Sequence, residues 1–189
     1  MRKLVAPFAA LVLLLAGCSG GSDAVARGTN FEFVSPGGQV DITYEGDQRK
    51  PLPPMSGEDL MVEGKQLSVA DYPGKVVVLN LWGSWCPPCR TEAPELEKVQ
   101  REVPGVQVIG LDVREDNRNA PQDFVRNFGL TFPSIYDPPG RSLLALKGYP
   151  RNAVPSTIVL DKQHRVAMVF LRGLLASDLM PVVQRLAAE

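Results

Sequence analysis

Histidine and cysteine are the scarcest chemistry-bearing residues in this 189-residue chain, with His164 alone and cysteines only at 18, 86 and 89. One imidazole leaves little material for a metal cluster or a Ser-His-Asp site. Three thiols rule out a disulfide framework. Charge of one sign is also missing: 20 Lys+Arg face 21 Asp+Glu, a formal net charge of −1. Such a balance gives no sign of a nucleic-acid surface, and no nucleic-acid partner is expected. Aromatic residues are few, at 7%, and Trp82 and Trp85 read as packing rather than as a base-stacking platform. No apolar run reaches the roughly 20 residues that span a bilayer. What is present is a globular composition, 44% hydrophobic and 22% charged, which excludes a disordered or collagen-like chain. The length suits one domain with a tail.

The longest apolar run, residues 4–16, holds 13 residues and is interrupted by Pro7. Arg2 and Lys3 precede it, and it ends Leu15-Ala16-Gly17-Cys18. Basic, apolar, then small is the layout of a secretory signal; release of a soluble protein and a buried core helix are the plainer readings. Two small residues directly before a Cys resemble a bacterial lipoprotein signal. That resemblance implies removal of residues 1–17 and lipidation of Cys18. Loss of Arg2 and Lys3 leaves 18 basic against 21 acidic side chains. An acyl anchor, not a basic patch, then has to hold the protein at the membrane. Outside the cytoplasm thiols tend to be oxidised, and Cys86 and Cys89 are the two that remain.

Residues 18–57 read as a tether carrying a short hairpin, with strands at 31–34 and 39–44 around Ser35-Pro36-Gly37-Gly38. The pattern is denser over 58–189. Residues 76–82 and 106–113 are nearly all apolar, as strands covered on both faces must be. The first runs directly into Trp85-Cys86-Pro87-Pro88-Cys89, and a helix follows to about Val103 with Leu96, Val99 and Val103 on one face. Pro121 opens a second helix with Phe124, Val125 and Phe128 inward, and residues 142–147 suggest a further one. Residues 156–161 and 165–170 predict an antiparallel hairpin turning at Lys162-Gln163-His164, and a final amphipathic helix carries Leu175, Leu179, Val182, Val183 and Leu186. Strands alternating with helices, closed by a hairpin and a helix, indicate a three-layer α/β domain with a mixed sheet.

A Cys-x-x-Cys pair has three common readings. Half a zinc site needs further ligands at matching spacing, and only Cys18 and the lone His164 are on offer. Covalent haem attachment needs His after the second Cys, where Arg90 stands. A dithiol redox pair fits its context, the junction of a buried strand and a helix. Residues i and i+3 share a helix face, so the sulfurs can bond without moving the backbone. Pro87 falls where a first helical turn tolerates proline. Cys86 at the helix N-terminus has its thiolate stabilised by the dipole and the free N–H groups. It reads as the accessible nucleophile, and Cys89, one turn further in, as the resolving thiol.

At these residues the chain resembles the thioredoxin superfamily, and most of all its membrane-anchored TlpA/ResA/CcmG-like branch, from residue 58 or so to the C-terminus. The stretch from Leu67-Ser68-Val69 through Trp82-Gly83-Ser84-Trp85-Cys86-Pro87-Pro88-Cys89 to Glu92-Ala93-Pro94 carries the likeness. It implies a thioredoxin-like three-layer α/β/α fold, with residues 106–128 matching the branch's β-α insertion. Pro94 matches the proline that kinks the first helix. Val154-Pro155-Ser156-Thr157 matches the cis-proline loop that receives substrate backbone, so Trp85, Pro87, Pro88, Val154 and Pro155 are the expected substrate contacts. The buried acid found six positions before the first Cys in cytosolic thioredoxin is Asn80 here. Glu92 stands where ResA-like proteins carry an active-site Glu; a solvated helix Glu is the bland reading. The dipeptide between the cysteines lacks His, which points to a couple more reducing than the roughly −120 mV of DsbA.

The expected protein is a lipid-anchored, monomeric thiol–disulfide oxidoreductase facing outward from the cytoplasmic membrane, with Cys86, Cys89 and Glu92 catalytic, no metal and no cofactor. The family resemblance implies reduction of apocytochrome c Cys-x-x-Cys-His disulfides, with electrons from a membrane transporter of the CcdA/DsbD kind. An oxidase or isomerase of secreted proteins is the alternative within the class. A peroxiredoxin-type peroxidase is a rival of another class, but Asn80 and Gly83 occupy its Pro and Thr positions before Cys86. A haem- or copper-binding chaperone is the non-enzymatic rival.

Overall fold

A strand covered on both faces has to be apolar at nearly every position, and two segments of the computed structural model, which describes residues 30–189, meet that condition with Asn80, Gln107 and Asp112 as the polar exceptions. Val76–Trp82 and Val106–Val113 are buried at every position and pair in parallel, Val76 opposite Val106 and Trp82 opposite Asp112. Among the described residues the sheet around them has eight strands: β1 (Asp41–Thr43), β2 (Ser56–Asp59), β3 (Gln66–Ser68), β4 (Val76–Trp82), β5 (Val106–Val113), β6 (Ser134–Asp137), β7 (Ser156–Leu160) and β8 (Val166–Phe170). Their order is β1-β8-β7-β4-β5-β6-β2-β3. Only β4–β5 and β5–β6 are parallel pairs, and parallel neighbours need crossovers. Helices α1 (Pro87–Glu102) and α2 (Asn119–Phe128) supply them, and α3 (Ala176–Ala188) closes the chain.

All three helices lie over one face. Leu96 and Val99 of α1 and Leu179, Val183 and Leu186 of α3 pack on Val76, Val78, Val106 and Val108. Phe124 and Val125 of α2 join Trp82, Cys86, Cys89 and Ala93 toward the other end of that face. Helices α1 and α3 are also tied by a hydrogen bond, the Ala176 N–H donating to the Glu95 carboxylate at 2.8 Å. The opposite face is covered by short 3-10 turns and extended chain. Val69, Leu143, Leu146 and Tyr149 pack there with Phe31, Phe33, Ile42 and Met55 against Val77, Leu79, Ile109, Leu111 and Ile158. The fold is thus the expected thioredoxin-like α/β architecture with a mixed sheet, and its third layer is irregular.

Most elements stand where the patterns place them, including the β7–β8 hairpin. Its turn is organised by Asp161, which accepts from the backbone N–H groups of Gln163 and Arg165, and His164 has a φ of 55°. The helix suggested over 142–147 is a 3-10 turn, Ser142–Ala145, capped by Asp137. Helix α2 begins at Asn119, two residues before Pro121, because the Asn117 side chain accepts from the N–H groups of Asn119 and Ala120.

The hairpin over residues 31–44 does not form. Instead β1 adds to β8, Ile42 opposite Val169, and Glu32 bridges Lys147. An uncovered strand edge and an apolar sheet face offer Phe31, Phe33 and Ile42 more burial than a two-stranded ribbon would. Phe31 and Phe33 make edge-on contacts with Tyr44 and Tyr149, at 5.4 and 5.3 Å between ring centroids. Residues 30–57 therefore pack on the domain rather than forming a tether. The signal peptide expected over 1–17, the expected lipidation site Cys18 and the start of the expected tether lie outside the described residues. No described helix is long and apolar enough to cross a membrane.

Candidate active site

The strand β4 delivers the chain into the Gly83–Trp85 turn, and α1 begins with its two cysteines joined. Cys86 and Cys89 form a disulfide with Cα atoms 5.3 Å apart. Cys86 is the N-cap of α1, and its Sγ accepts the Cys89 N–H at 3.3 Å. Pro87 and Pro88 occupy the first turn, where missing N–H groups cost nothing. Pro94 lies inside the helix and offers no N–H to the Arg90 carbonyl. In this oxidised state both cysteines are covered, Cys86 at 1% exposure and Cys89 at 2%. The sequence expectation of an accessible Cys86 is therefore not met while the disulfide is closed.

The turn before the disulfide is held from several sides. Ser84 donates its N–H and its hydroxyl to the Glu115 carboxylate, and Arg90 donates to the Ser84 carbonyl at 2.8 Å. The Trp85 Nε1 donates to the Val113 carbonyl at 3.1 Å, and the Arg114 guanidinium lies 4.6 Å over the indole. Trp85 nevertheless stays 44% exposed and forms an apolar lip beside Cys86.

On the other side the Val154–Pro155 peptide bond is cis. Pro155, Pro88 and Glu92 converge on Gly173, a residue the sequence reading does not single out. A Cβ there would lie 3.7 Å from Glu92 Oε2, 3.8 Å from Pro155 Cγ and 4.0 Å from Pro88 Cβ. The only sequence signal for it is a lone glycine just past a strand. An open groove passes this point, lined by Pro87, Pro88, Thr91, Glu92, Arg172 and Leu175 among others. The structure thus brings six predicted residues, Cys86, Pro87, Pro88, Cys89, Glu92 and Pro155, around one end of α1.

Glu92 is 2% exposed. Its Oε1 accepts from Asn80 Nδ2 at 2.8 Å and its Oε2 from the Leu174 N–H at 3.0 Å. Burial pushes its carboxyl up to about 7, while these two hydrogen bonds pull the other way. Asn80 spends its second amide hydrogen on Thr157 Oγ1 at 3.1 Å. The amide at the position of the thioredoxin acid is therefore the group that orients a carboxylate contributed by α1.

A second acid was missed. Asp112 at the end of β5 is fully buried, opposite Trp82 on one side and Tyr136 on the other, and neither carboxyl oxygen accepts a hydrogen bond from a donor group. Burial first, then the negative charge of Glu115 and a hydrogen bond that the protonated acid gives to its carboxylate, and last the charge of Asp137, raise its carboxyl to about 9, so it is neutral at pH 7. A lone acid in the apolar run 106–113 was the signal. Among the described residues no group of three or more His, Cys, Asp or Glu side chains could hold a metal ion.

Residues 47–179 match the family model Redoxin. The thiol-disulfide oxidoreductase ResA of Geobacillus thermodenitrificans is 32% identical over 120 residues, 62% of this chain and 67% of that one. The thiol:disulfide interchange protein DsbE of Pseudomonas aeruginosa is 31% identical over 144 residues, 74% of this chain and 77% of that one. Among solved structures, a secreted thiol-disulfide isomerase from Corynebacterium glutamicum superposes with a TM-score of 0.83 at 44% identity, covering 86% of this chain and all of that one. A DsbF homologue from Corynebacterium diphtheriae gives 0.78 at 46% identity, covering 82% and 99%. With a joined Cys-x-x-Cys pair at a helix N-terminus, a cis-proline beside it and relatives of this kind, the chain belongs to the Redoxin family as a thioredoxin-like thiol–disulfide oxidoreductase, homologous to ResA and DsbE.

Proposed function

We propose that the reduced protein works outside the cytoplasm as a disulfide reductase of other proteins, and that its substrates are Cys-x-x-Cys-His disulfides of apocytochrome c. The observation that carries this reading is the placement of a buried carboxyl that exchanges its proton near neutral pH, Glu92, in the same site as the Cys86–Cys89 pair. In the dithiol form the Cys86 thiolate, stabilised at the N-terminus of α1, attacks one sulfur of the substrate disulfide. That bond breaks, one substrate thiolate leaves, and a mixed disulfide joins Cys86 to the substrate. Cys89 then gives its proton to Glu92 and attacks Cys86 Sγ. The second substrate thiolate leaves, and the Cys86–Cys89 disulfide re-forms, so two electrons have passed to the substrate. Val154 and Pro155 present backbone to the substrate chain, while Trp85, Pro87 and Pro88 flank its sulfur. A membrane dithiol donor of the CcdA/DsbD kind returns the pair to its reduced form. The lipoprotein-like sequence before Cys18 supports a lipid anchor, and the extracytoplasmic relatives support the location.

The name of the Corynebacterium glutamicum neighbour keeps isomerase or oxidase action as a second reading. One experiment in cells separates them. Cys89→Ser should trap substrates on Cys86 in the membrane fraction, with Cys18→Ala moving the adducts out of it, and Cys86→Ser should trap few. A couple near −270 mV and captured apocytochromes c are expected; a couple near −120 mV with varied secreted proteins would support oxidation instead.

A further inference from the structure

We propose that a second groove, on the Trp85 side of the disulfide, docks an acidic stretch of the substrate polypeptide close to its cysteine. This rests on the thiol–disulfide exchange reading and adds a substrate preference to it.

The groove is lined by Val113, Arg114, Pro139, Leu143, Leu144 and Arg151 among others. It adjoins the redox site at two places. Val113 receives the Trp85 indole N–H, and Arg114 stacks on the same ring. Asn152, also on its wall, lies three residues before cis-Pro155. The segment 152–155 thus links this groove to cis-Pro155, whose ring also approaches Gly173 in the other groove.

Its chemistry is apolar with two free positive charges. Leu144 is 64% exposed, and Trp85 extends the apolar rim. Arg114 and Arg151 are both exposed, and among the described residues neither forms an ion pair. The acids next to the lining segments in sequence have other partners: Asp137 accepts from the backbone of the Ser142–Ala145 turn, and Glu115 holds Ser84. No acidic side chain lines the groove. The contrast with the Gly173 groove is informative, since its Arg172 is paired with both Asp41 and Asp178. A chain with net charge −1 has no general excess of cations, so two unpaired arginines at one concavity beside the disulfide constitute a local feature. Their complement is a segment with Asp or Glu next to an apolar residue. Exposed pairs are screened, so the effect falls mainly on association and fades with salt.

The test uses the reduced full chain in neutral detergent and three peptides of equal length. Each closes one disulfide, with Glu, Gln or Lys at two positions beside a cysteine. Rates are divided by those with a small neutral dithiol, which removes the intrinsic effect of charge on the peptide's own sulfurs. At low salt the Glu peptide should react about 3- to 10-fold faster than the Gln peptide, and the Lys peptide slower, with the spread closing in 0.5 M salt. Arg114→Gln with Arg151→Gln should bring the Glu/Gln ratio to about 1, and Arg114→Glu with Arg151→Glu should invert it. Ratios within one variant cancel any general loss of reactivity. Reduction of all three peptides at equal rates, or a preference that survives the double Glu variant, overturns the docking proposal while leaving thiol–disulfide exchange standing. Failure to reduce any peptide overturns both. Sedimentation showing a dimer that Arg151→Glu dissociates would assign the groove to a second copy of the chain and likewise overturn the proposal.

Discussion

At the scale of single residues, two carboxyls buried on the same side of the sheet do different things. Glu92, with its carboxyl near 7, exchanges its proton close to neutral pH, as a proton acceptor for Cys89 must. Its negative charge also disfavours a neighbouring thiolate, so thiol and acid titrations are coupled. Glu92→Gln keeps the shape and removes the charge. The apparent thiol pKa values should fall and turnover should drop by about 10- to 100-fold, as followed by a pH titration of thiol alkylation and by substrate reduction. Superimposable titrations with unchanged turnover would make Glu92 a structural residue only. Asp112 is held neutral instead. Its carboxyl sits at about 9 in the fold and near 4 in an unfolded chain. Between those values the folded state alone keeps the proton, so stability is full at low pH and is lost as pH rises from about 4 to about 9. Asp112→Asn removes that loss. The variant should match the parent in melting temperature at pH 4 and exceed it by several degrees at pH 8. A difference that is the same at both pH values would show that Asp112 does not titrate in this way.

At the scale of elements, the site is the meeting of three strand ends and one helix start. The sheet brings β4, β5 and β6 close enough that a side chain at one position would obstruct them. A Cβ on Gly110 would come within 2.2 Å of Ser134 Oγ and 2.6 Å of Trp82 Nε1. The serine hydroxyl can rotate away, but the indole cannot move without disturbing its packing on Phe124, whose ring centroid is 4.7 Å away. Gly110→Ala should therefore destabilise by about 1–3 kcal/mol, read from urea unfolding. It should also alter the reactivity of Cys89, which packs with Trp82 in one cluster. A change below about 0.5 kcal/mol, the range of neutral surface substitutions, would mean that the strands separate readily at this point.

At the scale of the whole molecule, one face of the sheet carries every α-helix among the described residues, and the N-terminal segment helps to cover the other. Arg49 adds a polar clasp: it is 7% exposed and reaches Glu45, Asp161 and Glu189, so it ties this segment to the β7–β8 turn and to the end of α3. If residues 30–57 belong to the domain, Phe31 is a core residue, 3% exposed. Phe31→Ala should then cost about 3–5 kcal/mol in chemical denaturation. An unchanged midpoint would return the segment to the status of a tether.

Much of this was legible in the amino-acid sequence because it is written in short-range pattern. Unbroken apolar runs disclosed β4 and β5, the period of Leu96 and Val99 disclosed the buried side of α1, and Cys86-Pro87-Pro88-Cys89 disclosed a redox pair at a helix start. Residue spacing reports which face of an element is apolar; it does not report what comes to cover that face. That is why the pattern places Phe31 and Ile42 in the two strands of a hairpin, whereas they lie on a sheet face and edge supplied by strands far along the chain. The same holds for the acids. Glu92 is bonded by Asn80, 12 residues before it, and by Leu174, 82 residues after it. Asp112 is isolated from water by strands on both sides. A carboxyl's affinity for its proton follows from desolvation and from neighbours brought in by other elements. The identity of the chemistry was therefore local to the sequence, while the proton affinities that govern it were decided by the tertiary structure.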